Sequence, residues 1–300
     1  MLEFLRDAAG VLVTVFVVSS MLNVGLTQRP SRILYHLRHW RFLASMVLTN
    51  LVVVPALMVF ALELVPVADV YAAGLIVFSL AAGAPFLIKL TTTSKNDVAL
   101  GATVLMVLMA ATVVTMPILM PLLVEGAEVD SFAIVRSLLL QMIAPMIVGM
   151  LMAQYFRRFD ALIQPTVARI GNISLYAVIV TILIGYSPEL VNLELWIALA
   201  VGLVVLAIGF FVGYMMGDGY EKLKEMGGLG TAQRGTAAAM IVASQNFDDP
   251  RVLVVITILN ILALVFLISA AKLMSRDNEF LPLEPVAADD PTTSYSRQPN

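Results

Sequence analysis

The chain is a succession of long apolar runs joined by short polar segments, and this holds up to about residue 276. A bilayer core takes roughly 20 apolar residues per helix. Runs of that kind lie near 8–26, 42–64, 70–90, 98–124, 132–155, 162–186, 194–216, 228–246 and 251–274. The pattern predicts an all-α polytopic membrane protein of about nine transmembrane helices. Of 300 residues, 60% are hydrophobic and 13% charged, whereas a soluble domain is nearer half apolar and a quarter charged. Lipid has to cover the excess. The first run lacks a small-residue cleavage site and continues into a basic loop, so a retained helix is expected rather than a signal peptide.

Lysine and arginine in the joints predict the orientation. Joint 27–41 carries Arg29, Arg32, Arg38 and Arg41; further on come Lys95, then Arg157 with Arg158, Lys222 with Lys224, and Lys272 with Arg276. Every second joint is basic. The joints between them read PVAD, EGAEVD, SPELVNLE and FDDP, with Arg251 the one basic residue beside them. The alternation requires an odd number of spans, an N-terminus outside and a C-terminus in the cytoplasm. A plasma membrane, or the inner membrane of a bacterial cell, is the expected location. The segment 277–300 is rich in Pro, Asp and Ser and is expected to be a disordered cytoplasmic tail.

Several chemistries are excluded. Cysteine is absent, and the two histidines, His36 and His39, share the basic loop, so no metal centre is expected. No HExxH, phosphate loop or nucleophile–base pair stands out. The chain is read as neither an enzyme nor a nucleic-acid partner, and no cofactor is expected beyond coupling to Na+ or H+.

Two runs differ from the rest. The third, AAGLIVFSLAAGAPFLIKLTTTSKND, has Gly83 and Pro85 mid-span with Lys89 just after. The eighth, GGLGTAQRGTAAAMIVASQNF, sets Gly227, Gly228, Gly230 and Gly235 around Thr231, Gln233 and Arg234. Proline removes a backbone donor and glycine frees the backbone, so both spans are expected to break. Each is followed by one long span. If the chain is two inverted repeats, about 8–124 and 132–274, with the first helix of repeat 1 missing, the broken spans are equivalent. Paired interruptions of this kind point to a transporter's central site. Lys89 and Arg234 at membrane depth would each need a cavity or a partner. Asn50 and Asn260 are the favoured site residues among the amides within spans.

The residues SSMLNVGLT (19–27), Asn50 ahead of Pro55, AAGAPF…KNDVAL (81–100) and TAQRGTAAAMIVASQNFDDPRVLVV (231–255) together resemble the bile acid:sodium symporter family. The resemblance covers about 8–274. It implies a transmembrane transporter domain over 1–276, with two discontinuous helices crossing at its centre. A panel would be built from the first, fifth and sixth spans, and a core from the other six. It also implies a small organic anion as substrate, bound between panel and core and usually carried with sodium.

The departures from that family pattern carry the sharpest expectation. Where sodium-coupled members place Ser and Asn after the first break, this chain has Leu87 and Ile88, followed by Lys89. Hydroxyl positions in the next span hold Gly101 and Leu105, and the family's Glu and Gln at the second break are Gly230 and Arg234. Asn50 keeps its amide, with Gln233 a neighbour. Side-chain sodium ligands are lost and two cations gained. The expected crossover site is Asn50, Pro85, Lys89, Thr231, Gln233, Arg234 and Asn260. The expected function is alternating-access transport of small organic anions, with sodium coupling in doubt. The alternatives are a proton-coupled or uncoupled carrier of the same fold, and a membrane sensor or scaffold that transports nothing.

Overall fold

The computed structural model describes residues 2–28, 36–124, 131–217 and 220–277, all of whose regular elements are helical. The expected tail beyond 277, and Arg29 and Arg32 of the basic loop, lie outside the described residues. In chain order the helices are α1 (Leu2–Thr27), α2 (Trp40–Leu64), α3 (Asp69–Leu80), α4 (Phe86–Thr93), α5 (Val98–Leu123) and α6 (Ser131–Tyr155). They continue with α7 (Arg157–Gly185), α8 (Leu193–Met215), α9 (Glu221–Ala232), α10 (Thr236–Asn246) and α11 (Arg251–Asp277). Seven of them, α1, α2, α5, α6, α7, α8 and α11, are long and apolar enough to cross a membrane. Their outer faces carry exposed Phe60, Ile118, Leu122, Ile184 and Phe211. A helix that is apolar all round needs lipid or protein on every side, and the chain is a multi-pass membrane protein.

Small residues set how the helices meet. A Cβ on Gly25 of α1 would lie 2.1 Å from the carbonyl oxygen of Met146, and one on Gly149 of α6 would lie 2.4 Å from that of Leu22. The α1–α6 crossing therefore brings backbone against backbone, as small residues permit in membranes; α7 packs along the same helix α1. In the remainder of the bundle α8 and α9 cross just as closely. A Cβ on Gly227 would sit 2.1 Å from the Gly213 carbonyl oxygen.

Both expected interruptions are present, but one is displaced. The first falls between α3 and α4, where Gly83 takes φ +77°. The second falls at 233–235, between α9 and α10. Gly227, Gly228 and Gly230 lie inside an unbroken α9, and this helix begins at Glu221, well before the expected start of the span. Gly227 and Gly228 serve the close approach to α8, and Gly230 admits Met46 of α2 and Val104 of α5, so their freedom is not used to break the chain. The two breaks pair with each other. Ala82 and Arg234 form an antiparallel bridge, and the Gly235 N–H donates to the Ala81 carbonyl at 2.8 Å. Thr112 of α5 completes the join, accepting from the Ala82 N–H and donating to the Ala82 carbonyl, each at 3.0 Å. Irregular backbone at this depth is tolerated because protein groups satisfy it.

Candidate functional site

Where the breaks meet, Arg234 is almost wholly buried, at 1% exposure. Its Nη1 donates to Asn50 Oδ1 at 2.8 Å and to the Thr231 carbonyl at 3.3 Å. Nη2 donates to the Asn50 carbonyl at 3.0 Å and to the Ser79 carbonyl, and Nε to the Phe78 carbonyl at 3.5 Å. A guanidinium has five N–H groups in a fixed fork, and five oxygen contacts surround this one. No carboxylate pairs with it among the described residues.

Local structure explains why these oxygens are free. Phe78 and Ser79 belong to the last turn of α3 and Thr231 to the last turn of α9, where helical carbonyls lack intrahelical donors. The Asn50 carbonyl is released differently. A wide π-turn over Thr49–Val53 sends the Val54 N–H to the Thr49 carbonyl, and the next residue, Pro55, has no N–H to give. Two helix C-termini converge here, each bearing roughly half a negative elementary charge. Together they offset the single positive charge without an acid. Asn50 Nδ2 holds the arrangement by donating to the Met46 carbonyl at 2.9 Å and to Thr231 Oγ1 at 3.3 Å.

The positions expected from sequence to lack sodium ligands are closely packed. A Cβ on Gly230 would lie 2.9 Å from Met46 Cε, 3.2 Å from Val104 Cγ1 and 3.7 Å from Leu87 Cδ2. Leu87 and Leu105 are buried, and Gly101 abuts Thr91, whose hydroxyl would lie 2.5 Å from an added Cβ. Side-chain oxygen ligands for a hard cation are missing at Leu87, Gly101, Leu105 and Gly230.

On the other side of the breaks is a cavity of ≈ 260 Å³. Phe16, Ser20 and Asn23 of α1 and Gly171 and Asn172 of α7 form one wall; Pro85, Phe86, Lys89, Gln233, Thr236 and Asn260 form the other. The second wall contains the N-terminal ends of α4 and α10, whose dipoles favour negative charge. Lys89 adds a cation, its Nζ 5.6 Å from the centre of the Phe86 ring. Thr236 Oγ1 donates to Asn260 Oδ1 at 2.5 Å, and Gln164 Nε2 to Asn23 Oδ1 at 3.0 Å. Gln233 Nε2 reaches the Arg234 carbonyl at 3.4 Å, while its buried Oε1 has no partner among the described residues.

Residues 14–193 match the model of the Sodium Bile acid symporter family. The chain belongs to that family. No curated protein matches the chain. In this member of the Sodium Bile acid symporter family, the seven residues singled out from sequence fall into two groups. Asn50, Thr231 and Arg234 form the oxygen-lined pocket, and Pro85, Lys89, Gln233 and Asn260 line the cavity. Sequence reasoning set Lys89 and Arg234 at one crossover; the fold puts Arg234 behind the cavity wall and Lys89 on it. It missed Thr236 and the carbonyls of Phe78 and Ser79. A threonine beginning the helix after a break was visible, but backbone acceptors carry no side-chain signature.

Proposed function

We propose that the chain is a secondary transporter of small organic anions that works without bound sodium. The observation that carries this reading is the guanidinium of Arg234, which takes five oxygens that would otherwise be open to a hard cation. At ~4 Å and an effective dielectric of 20, a second cation would be repelled by about 4 kcal/mol, roughly a thousandfold in affinity. The carbon-filled surroundings of Gly230 support the same conclusion. Lys89 and the two helix N-termini support an anionic substrate. The cavity is slightly smaller than the roughly 300–1,000 Å³ common for ligand pockets, which favours a small one.

In this reading the chain crosses the bilayer nine times, counting α3–α4 and α9–α10 as broken spans of two inverted repeats. The panel of α1, α6 and α7 rocks against the other helices and exposes the cavity to each side in turn. The N-terminus is outside and the C-terminus cytoplasmic, in a plasma membrane. A proton-coupled version is favoured by Glu225, a carboxylate only 5% exposed that accepts from Asn96 Nδ2 at 2.8 Å. Uptake driven by a pH gradient and lost in Glu225→Gln would support that version.

The test is the melting temperature of detergent-purified protein in sodium, potassium or choline, with and without a panel of organic anions. A ligand at 100 Kd that binds only the folded state stabilises it by about 2.7 kcal/mol. Stabilisation by an anion, equal in all three salts and absent from Lys89→Met, is expected. A sodium-specific rise in the wild type would overturn the reading.

A further inference from the structure

Building on the anion-carrier reading, we propose that the cavity takes a short dicarboxylate, with one carboxylate on the wall of α4, α10 and Asn260 and the other on Asn23 of α1. Asn260 is 6% exposed and lines the cavity. Its contact with Thr236 Oγ1 is 2.5 Å long, an O–H···O length and shorter than the about 2.7–3.2 Å of N–H···O bonds. The amide oxygen therefore faces Thr236, and the NH2 group has no acceptor among the described residues. Asn23, on the opposite wall, is held in the same way. Gln164 Nε2 donates to its Oδ1 at 3.0 Å, and its NH2 group is also without an acceptor among the described residues. Neither nitrogen is enclosed: the enclosed orphan side-chain atoms among the described residues belong to Gln141, Gln233 and Thr257. Each wall thus presents an open amide donor to the same space.

A backbone donor accompanies Asn260. In the first turn of α10 the Thr236 N–H donates to the Arg234 carbonyl at 2.9 Å, and the Ala239 N–H to the Gly235 carbonyl at 3.0 Å. The N–H of Ala237, which lines the cavity, has no backbone acceptor among the described residues. Gln233 Oε1, the free acceptor of this wall, is enclosed and out of a ligand's reach. Charge agrees with the donor pattern. Lys89 supplies one positive charge and the N-termini of α4 and α10 roughly half each, and no carboxylate lines the cavity among the described residues. A monoanion would leave half of that charge unmatched and could pair with the donors of only one wall. A dicarboxylate matches both, through charge-assisted bonds that are stronger than neutral ones.

The experiment titrates straight-chain acids from propanoate to hexanoate, and the diacids of equal carbon number, as choline salts at slightly alkaline pH. Affinity is read from the dependence of the melting temperature of detergent-purified protein on acid concentration. A diacid is expected to bind about tenfold or more tighter than the monoacid of its length, the worth of one added bond to a charged group. Asn23→Leu is expected to remove this preference and Gln164→Leu to reduce it, with monoacid affinity retained in both. The ratio of the two affinities is the readout, because a variant that is merely less stable melts lower with either acid. Equal affinity for monoacid and diacid in the parent, or a preference unchanged in Asn23→Leu, would overturn the proposal and leave the anion-carrier reading standing. Stabilisation by other organic anions but by no acid of the series would overturn it as well. Failure of every organic anion would overturn the carrier reading on which it rests.

Discussion

Arg234 and Asn50, 184 positions apart in the chain, meet through two separate bonds, one to the amide oxygen of the side chain and one to the backbone carbonyl. The second exists only because Pro55 and the π-turn leave that carbonyl without a helical donor. A single guanidinium thereby ties α2 to the last turns of α3 and α9, and the two breaks are held together.

Removing that guanidinium should be costly. In Arg234→Met, the Asn50, Ser79 and Phe78 oxygens lose their donor, at about 1–3 kcal/mol for each buried group left unpaired. A large fall in melting temperature is expected. In Arg234→Gln the oxygens are partly freed for a small cation, so sodium should recover some of the loss where choline does not. Equal melting in both salts would count against the tethered-cation reading.

Lys89 should behave differently. It is exposed, and its ammonium lies 5.6 Å from the centre of the Phe86 ring, so Lys89→Met is expected to melt within about 1 kcal/mol of the parent. Anion-dependent stabilisation and uptake into vesicles should be lost together. Retention of both would remove Lys89 from the site.

Gly83→Ala tests the first break. Its φ of +77° is disfavoured for any residue with a Cβ, by about 1–2 kcal/mol, and that atom would lie 2.8 Å from the Met109 backbone nitrogen. Strain and clash fall on the same position, so destabilisation above about 2 kcal/mol is expected in thermal melts. Gly10→Ala, with nothing within 4 Å of the added atom, is the matched control.

The loop pair His36–Asp97 predicts a pH dependence. Burial lowers the His36 pKa, opposed by Asp97, so the folded protein favours the neutral ring. A histidine whose folded pKa lies below its unfolded value, about 6.5, takes up a proton more readily when unfolded. Its contribution is complete above pH 6.5 and is lost as the pH falls toward the folded pKa. His36→Gln should flatten melting temperature against pH in that window. Asp97→Asn, which preserves the oxygen capping Ala99 and Leu100, should extend the loss to lower pH by removing the group that raises the pKa.

Much of this architecture was legible in sequence because a bilayer demands uninterrupted apolar length, and α2, α5, α6, α8 and α11 follow their apolar runs closely. The first break was legible because Gly83 and Pro85 disrupt a helix in ways that only the backbone has to read. The second was misplaced. Gly227 and Gly228 look like breakers locally, yet they are spaced to admit the α8 backbone and Phe210, a contact that depends on another helix. The pairing of Arg234 with Asn50 was out of reach for a related reason. Most of its acceptors are carbonyls, common to every residue, and their availability depends on where three helices end or widen.

A charge carried on a side chain differs from one drawn from the medium in a simple respect: it never dissociates. The occupancy of the pocket around Arg234 does not vary with the salt on either side of the membrane, and in the proposed carrier no ion has to be recaptured before each cycle. The same permanence forbids the gradient of that ion from doing work through this pocket. On the proposed function, whatever drives accumulation has to enter by another route.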